Sequence, residues 1–291
     1  MSRLKLGWIG LGNMGTPMVK NLLKAGFDVV VFNRTKQKEE ELIAHGATSA
    51  PNPQSLLETC DIVFTMLADD QAVKAVFEGD HGLITKAAEG KMIIDMSTVS
   101  PDTSRYLSEA CEKAGLDFLE APVSGSVKPA QDGTLIILVG GAATAYEKAK
   151  PAFEALGKLS IHVGGAGVGS SAKLAINYLL GLNLQGLAET VLFAEKNGVS
   201  KSDMLTIINE GACGNGITKL KTPSILNEEY PAAFALKHLV KDLRLAKEAG
   251  LVAPLIDPLF NSFQQAQKEG LGEEDVMAVI KSLAKKHDDL Q

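Results

Sequence analysis

The chain is poor in cysteine and has no long apolar run. Its 291 residues include three cysteines, Cys60, Cys111 and Cys213, which form no Cys-x-x-Cys pair and cannot all be joined in disulfides. This usage is typical of a reducing compartment and excludes a small disulfide-stapled scaffold. No apolar run approaches the roughly 18 residues of a membrane span. We therefore expect a cytoplasmic protein with no membrane segment.

Basic clusters, paired metal ligands and nucleophile motifs are also missing. The net charge is −6, and no basic cluster with interleaved aromatic residues occurs, which argues against a nucleic-acid partner. The five histidines lie far apart and no two are four residues apart, so we predict no metal site. No Gly-x-Ser-x-Gly segment marks a nucleophile. With 45% apolar residues, the chain is long enough for one large or two medium domains.

A glycine-rich turn follows the first predicted strand. An apolar run ends at Gly10, and apolar residues then recur at helical spacing until Gly26. In a dinucleotide site with this pattern, Gly10 allows the tight turn, Gly12 lets the backbone approach a pyrophosphate, and Gly15 lets helix and strand pack closely. A glycine turn without a ligand is the alternative interpretation. The predicted cofactor contacts are Gly10, Leu11, Gly12, Asn13, Met14 and Gly15.

The end of the second predicted strand bears on which cofactor is bound. Asn33, Arg34 and Thr35 stand where an NAD-binding fold usually has an acid for the ribose hydroxyls. Arg34 can pair bidentately with a 2′-phosphate, and its two neighbours add donors. We therefore predict a preference for NADP(H). NAD(H) remains possible, because Arg34 can also be a solvated turn residue.

Strand-like and helix-like segments alternate as far as about His162. This alternation predicts an α/β fold of Rossmann type, a doubly wound and mainly parallel sheet with helices on both faces. Ligands of such sheets bind beyond the carboxyl ends of the strands. The loops expected to converge there are Met66-Leu67-Ala68, Ser97-Thr98 and Pro122-Val123-Ser124-Gly125-Ser126.

A second glycine run, at residues 164–169, marks a change in character. The sequence that follows has no proline from Ser170 to Lys196 and predicts a helix about 40 Å long. The remainder is predicted to be all helical, through the segments Asp203–Asn209, Leu236–Ala249, Pro254–Lys268 and Glu273–Lys286. We therefore predict a cofactor domain over residues 1–163 and an all-helical domain over residues 164–291, entered by a helix at about 170–196.

Lys173 and Asn177 are four residues apart and share one face of that helix, near its N-terminus. A cation is disfavoured there, and an oxidised nicotinamide nearby would also lower the pKa of the amine toward the range useful for proton transfer. Asn177 can orient the same substrate oxygen. A surface lysine that faces solvent is the alternative.

Four segments together resemble the signatures of the β-hydroxyacid dehydrogenase family. They cover nearly the whole chain in the family's order, and the resemblance is therefore specific. The segments are Gly-Trp-Ile-Gly-Leu-Gly-Asn-Met-Gly-Thr-Pro-Met at 7–18, Glu-Ala-Pro-Val-Ser-Gly-Ser at 120–126, Gly-x-x-x-Lys-x-x-x-Asn at 169–177 and Lys-Asp-Leu at 241–243.

The resemblance implies an oxidoreductase with a C-terminal domain like that of 6-phosphogluconate dehydrogenase. By it, Lys173 is the catalytic acid and base, and Lys241 helps to close the cofactor site. It also implies a homodimer or homotetramer formed through the helical domain. The implied carboxylate cradle is Ser124, Gly125, Ser126 and Asn177, and the implied cofactor-lining residues are Met66, Leu67, Ala68 and Thr98.

The chain departs from the common family pattern at one position of the implied carboxylate cradle, and the sequence around it bears on which substrate we expect. Many members have Ser-Gly-Gly where this chain has Ser124, Gly125 and Ser126. Residues 125–133, together with residues 33–35, most resemble the NADPH-dependent glyoxylate and succinic semialdehyde reductases. Dehydrogenases or reductases of 3-hydroxyisobutyrate or tartronate semialdehyde are the alternative, and a non-catalytic dinucleotide-binding protein is a more distant one.

Overall fold

The computed structural model describes residues 4–85 and 89–289, with side chains as far as Lys285. The chain divides into two compact units, Met1–Lys173 and Leu174–Gln291. None of the described helices is both long and apolar enough to cross a membrane.

The N-terminal unit alternates strands and helices as the sequence predicts. Its strands are β1 Lys5–Ile9, β2 Asp28–Phe32, β3 Thr48–Ser49, β4 Ile62–Thr65, β5 Met92–Asp95, β6 Asp117–Glu120, β7 Val123–Ser124, β8 Leu135–Gly141 and β9 Gly157–Gly164. Its helices are α1 Gly15–Lys24, α2 Gln37–Ala44, α3 Pro53–Thr59, α4 Asp70–Glu78, α5 Pro101–Lys113, α6 Val127–Asp132 and α7 Ala143–Leu156.

The strands form one sheet in the order β3-β2-β1-β4-β5-β6-β8-β7, and β9 pairs with β8. Neighbours from β3 to β6 are parallel, whereas β8 runs antiparallel to β6 and β7. Because β1, β4, β5 and β6 are parallel neighbours, their carboxyl ends lie at one edge of the sheet. The loops after these four strands therefore start from the same edge.

Apolar side chains fill both faces of this sheet. On one face, Trp8 and Phe64 stack at 5.3 Å between ring centroids and belong to the cluster that includes α1 and α7. On the other face, Val63 and Ile93 pack in the cluster that includes α3, α4 and α5. Side chains alternate between faces along a strand, and a run buried on both faces reads as continuously apolar. The predicted doubly wound α/β sheet is confirmed.

The C-terminal unit is built of helices, as predicted, around its own core. Along α8 (Val168–Lys196), which continues into this unit, the residues buried at helical spacing are Leu184, Leu187, Ala188 and Val191. The helices after α7 are α8 Val168–Lys196, α9 Lys201–Glu210, α10 Gly216–Asn227, α11 Leu236–Glu248, α12 Ile256–Lys268 and α13 Val279–Asp289, with 3-10 turns at Leu271–Glu273 and Val276–Ala278.

Two details differ from the sequence patterns. α10 contains Pro223, which lacks an N–H group, and the sequence pattern predicts no helix there. An Asn215 capping box, in which the Asn215 side chain accepts from Ile217 and Thr218 N–H, starts the helix nevertheless. The predicted helix at 273–286 begins only at Val279, because the preceding residues form a 3-10 turn that Asp275 caps.

Candidate active site

Three glycines between β1 and α1 meet different constraints. Gly10 has φ +100°, and a Cβ atom there would lie 2.2 Å from the Met66 carbonyl oxygen. A Cβ atom on Gly15 would lie 2.0 Å from the Gly10 carbonyl oxygen. A Cβ atom on Gly12 would meet no described heavy atom within 4 Å beyond its chain neighbours. Gly10 and Gly15 therefore serve the turn itself, whereas Gly12 leaves space beside the backbone.

The same loop ends at the N-terminus of α1. Met14 is the N-cap residue and makes no side-chain capping bond. The first amides of a helix have no partner within the helix, and the helix dipole favours an anion at that end. Open space at Gly12 next to these amides fits the pyrophosphate of a dinucleotide.

The segment after β2 is organised by a buried acid that the sequence analysis did not identify. Glu39, in the first turn of α2, is 2% exposed. It accepts hydrogen bonds from the Asn33 amide, from Lys36 Nζ and from Ser49 Oγ. Its carboxylate thus neutralises Lys36. Glu39 holds the protein's own groups and does not take the place of the acid that contacts ribose in NAD-binding folds.

Asn33 joins two segments that the sequence assigned to the cofactor. Its Oδ1 accepts from the Leu11 amide at 3.0 Å, and its Nδ2 donates to the Thr35 carbonyl oxygen at 2.9 Å. Arg34, between them, is exposed and has no ion-pair partner within residues 4–85 and 89–289. The Asn33 amide therefore shapes the loop, and Arg34 is the cation of the triplet that stands in solvent.

The loops after β4 and β5 are connected through a buried carboxylate. Asp95, the last residue of β5, accepts from Thr65 Oγ1 at 2.7 Å and from Ser97 Oγ at 2.6 Å. Ser97 Oγ in turn accepts from the Leu67 amide at 2.8 Å. Asp95 thereby fixes the start of the segment Met66-Leu67-Ala68 and the residue next to Thr98.

The pKa of Asp95 is raised to about 6. Burial is the main cause, hydrogen bonds from Ser97 and Thr65 oppose it, and the charge of Glu120 adds to the increase. Asp95 and Glu120 are register partners on β5 and β6. The Oδ2 atom of Asp95 has no hydrogen-bond partner among the described residues. An unpartnered, fully buried carboxylate oxygen is costly when it is charged.

The predicted carboxylate cradle lies at the end of β7. Gly125 has φ +132°, and a Cβ atom there would lie 2.8 Å from Leu135 Cδ2, so this position requires glycine. Ser124 is the last residue of β7 and is half-buried. Ser126 precedes α6, and its side chain makes no capping hydrogen bond. The two hydroxyls therefore flank a position that requires glycine.

Lys173 and Asn177 both lie on α8, as the sequence predicts, and both are buried: Lys173 is 8% exposed and Asn177 is 3% exposed. The first turn of α8 is bound to the sheet by Glu120, whose Oε1 accepts from the amides of Gly169 and Ser170. Lys173 is therefore not the solvent-facing surface lysine of the alternative interpretation.

In the C-terminal unit, Asn177 is oriented by an acid. Its Nδ2 donates to Asp242 Oδ2 at 2.5 Å, and Asp242 is 2% exposed. A carboxylate only accepts, so the nitrogen of the Asn177 amide must face it. Lys241 Nζ lies 3.0 Å from the other oxygen, Asp242 Oδ1. Asp242 therefore contacts both residues that the sequence assigned to this part of the site.

Four buried acids, three in the N-terminal unit and one in the C-terminal unit, hold segments that carry predicted site residues, and none of the four was given a role from the sequence. Glu120 and Asp242 fall inside the quoted signature segments, so a signal for them was present. Glu39 lies in a run of three glutamates, and Asp95 ends an apolar run. Neither pattern marks a buried group. Among the described residues, no group of three or more histidine, cysteine or acidic side chains is arranged to hold a metal ion.

Two domain families match the chain. Residues 5–165 match the NAD binding domain of 6-phosphogluconate dehydrogenase. Residues 167–283 match the family described as NAD-binding of NADP-dependent 3-hydroxyisobutyrate dehydrogenase. Among curated proteins, glyoxylate/succinic semialdehyde reductase 1 of Arabidopsis thaliana is 40% identical over 284 residues, which cover 96% of this chain and 98% of the relative.

Solved structures agree with these matches. The 3-hydroxyisobutyrate dehydrogenase of Mycobacterium tuberculosis, solved with L-serine, has a TM-score of 0.86 and 29% identity, and the match covers 97% of this chain and 99% of that one. Psf3 in complex with NADP+ and 2-OPP has a TM-score of 0.88 and 26% identity, with 96% of this chain and 99% of that one covered. The chain therefore belongs to the β-hydroxyacid dehydrogenase family of pyridine-nucleotide-binding oxidoreductases.

Proposed function

We propose that the protein is an NADP(H)-dependent reductase of a small aldehyde acid, of the glyoxylate or succinic semialdehyde reductase type. The observation that carries the proposal is the buried Lys173 amine on α8, whose first turn is bound to the sheet that bears the glycine loop. The name of the Arabidopsis relative supports the choice of substrate.

In this proposal the glycine loop, Gly10 to Gly15, binds the pyrophosphate and Arg34 binds the 2′-phosphate. Asn33 and Thr35 shape the loop around the phosphate. Lys241 helps to close the cofactor site. When bound, the cofactor supplies or accepts a hydride. The residues that line its nicotinamide side are Met66, Leu67, Ala68 and Thr98.

Lys173 supplies the proton chemistry. In reduction, its ammonium group holds a proton at Nζ and donates it to the carbonyl oxygen while the carbonyl carbon receives the hydride, so that the aldehyde becomes a primary alcohol. In oxidation, the neutral amine accepts the same proton. Ser124, Gly125, Ser126 and Asn177 bind the substrate carboxylate, which keeps the carbonyl group next to the lysine.

Replacing Lys173 tests this role. We expect Lys173→Met to lower kcat at least about 100-fold, in line with the usual contribution of a general acid. The Kd for NADPH, measured by fluorescence titration, should stay within about twofold, because the glycine loop is unchanged. Lys196→Met, the same substitution at the exposed end of α8, is the matched control and should keep full activity. A Lys173→Met enzyme with wild-type turnover would disprove the role.

A substrate panel tests the chemical class. We expect the purified protein to oxidise NADPH with glyoxylate or succinic semialdehyde, with a higher kcat/KM than with tartronate semialdehyde. Oxidation of 3-hydroxyisobutyrate in preference to these reductions would favour the alternative activity. Tight NADPH binding without turnover of any short aldehyde acid would favour the non-catalytic protein.

A further inference from the structure

We propose that Glu120 is the positioning residue for Lys173, an inference that rests on the proposed function of that lysine. Glu120 ends β6 and is 1% exposed. Its Oε1 accepts from the Gly169 amide at 2.7 Å and from the Ser170 amide at 3.3 Å. These partners lie 49 and 50 residues further along the chain.

The Glu120 carboxylate caps the N-terminus of α8. The first amides of a helix need acceptors, which a neighbouring serine, threonine or acid usually provides. The residues before α8 are Gly164, Gly165, Ala166 and Gly167, and none has a polar side chain. A carboxylate at this end also suits the helix dipole and forms charge-assisted hydrogen bonds. The cap therefore comes from the sheet and ties the end of α8 to β6.

Two glycines allow the N-terminus of α8 to lie this close to the sheet. A Cβ atom on Gly140 of β8 would lie 2.3 Å from Glu120 Oε1 and 2.9 Å from the Gly169 nitrogen. A Cβ atom on Gly169 would lie 2.7 Å from the Leu138 carbonyl oxygen. Gly140 is the register partner of Glu120 in the sheet. The carboxylate and the two glycines thus form one contact surface between the sheet and the first turn of α8.

A further hydrogen bond secures the same turn. Ser170 Oγ lies 3.5 Å from Glu120 Oε2 and 2.8 Å from Ser104 Oγ on α5. Both serines are buried. Lys173 follows Ser170 by three residues, less than one helical turn of about 3.6 residues. The backbone position of Lys173 is therefore set by β6 and α5.

Position matters because proton transfer requires hydrogen-bond distance between donor and acceptor. A displacement of about 1 Å at a reacting group can lower the rate about 100-fold. Glu120 bonds to the helix backbone, so it acts on the reaction through the helix. A purely structural role would affect the stability of the protein and leave the turnover of the folded enzyme unchanged. The two roles therefore predict different kinetics.

Glu120→Gln is the main test. Glutamine keeps the shape and one acceptor oxygen but loses the charge and places an NH2 group where the second oxygen was. We expect kcat with aldehyde acid to fall at least tenfold, with the KM for NADPH within twofold. Glu120→Asp keeps the charge on a shorter side chain and should recover part of kcat. Glu112→Gln makes the same substitution at an exposed position of α5 and, as the matched control, should keep kcat within twofold.

Hydrogen exchange adds a readout that does not depend on activity. In Glu120→Gln, the amides of Gly169 and Ser170 should exchange at least tenfold faster than in the wild type. If Lys173→Met were fully active, the proposed function would fail, and exchange would still report on the contact. A folded Glu120→Gln enzyme with kcat within twofold of the wild type would overturn the inference, whatever its stability. So would equal losses of kcat in Glu120→Gln and Glu112→Gln.

Discussion

Arg34 is the side chain on which we expect the choice of cofactor to depend, since it is exposed and without an ion-pair partner in the described ranges. Each hydrogen bond between Arg34 and a charged 2′-phosphate contributes about 1.5–3 kcal/mol. NADH has only uncharged ribose hydroxyls at this position. We expect the KM for NADPH to be at least tenfold below that for NADH, a difference of about 1.4 kcal/mol. Arg34→Asp should erase or reverse the preference in steady-state kinetics with both cofactors.

Lys38→Asp is the control for this experiment, because it makes the same change of charge at an exposed position on α2. Its preference for NADPH should fall by less than threefold. Equal KM values for the two cofactors in the wild type would show that Arg34 does not bind the phosphate.

Asp95 is the residue whose charge should cost stability. Because its pKa is raised to about 6 in the folded state, the folded protein retains a proton that the unfolded chain releases near pH 4. The contribution of Asp95 to the free energy of unfolding should therefore fall by about 3 kcal/mol as the pH rises from about 4 to about 6. Above about pH 6, this contribution should no longer change with pH.

Asp95→Asn should remove this dependence. The asparagine Oδ1 can still accept from Thr65 and Ser97, and it carries no charge to titrate. Urea unfolding of both proteins between pH 4 and pH 7 measures the effect. The difference in unfolding free energy should move by about 3 kcal/mol in favour of the variant as the pH rises. If the difference in unfolding free energy between the two proteins stays constant across this range, the pKa of Asp95 in the folded protein is not raised.

At the scale of elements, different glycines of the β1–α1 loop are expected to matter for folding and for cofactor binding. Gly12→Ala places a methyl group in open space, so we expect the Tm to change little. The same methyl group occupies the predicted approach of the pyrophosphate, so the Kd for NADPH should rise at least tenfold. Calorimetry and fluorescence titration measure the two effects.

Gly15→Ala is the matched variant, because it adds the same methyl group three residues away. Its Cβ atom would lie 2.0 Å from a backbone oxygen, which cannot move without moving the turn. We expect a loss of stability of several kcal/mol, on the scale of severe packing changes. A Gly12→Ala protein that binds NADPH as the wild type does would place the pyrophosphate elsewhere.

The elements of the N-terminal unit were predictable because their signals are local. Apolar runs and helical spacing identify strands and helices from neighbouring residues, and the glycine turn between β1 and α1 needs about six residues of context. α10 was missed because Pro223 interrupts its pattern, and packing of Ile225 in the core outweighs that signal. The 3-10 turn before α13 depends on Asp275, whose side chain also accepts from Ala233 and Phe234 amides far away in sequence.

For the whole molecule, we expect a homodimer or homotetramer. Large apolar side chains remain exposed on helices of the C-terminal unit, among them Phe193, Ile207 and Leu220. Exposed apolar groups of this size often mark contacts between proteins. Light scattering should give a mass of two or four times 30.8 kDa. Phe193→Glu should weaken the assembly, whereas Lys38→Glu, on α2 of the N-terminal unit, should not. A monomer at micromolar concentration would contradict this expectation.

By itself, the sequence determined the fold class, the glycine loop and the placement of Lys173 and Asn177 on one helix. Each of these depends on residues close together in the chain, where the periods of strand and helix constrain geometry directly. The contact between the first turn of α8 and the sheet could not be predicted in this way. It depends on Glu120, Gly140 and Gly169, which are adjacent only once β6 and β8 are neighbours.

The same limit explains the other buried acids. Asp95 meets Thr65 across 30 residues, and Glu39 meets Ser49 across 10. In the sequence, each is an acid of the kind usually found in solvent. Only the tertiary structure decided which acids are buried and which groups they bind. A buried charge is tolerated where hydrogen-bond donors surround it. The strand order brings those donors together, and strand order is a property of the whole sheet.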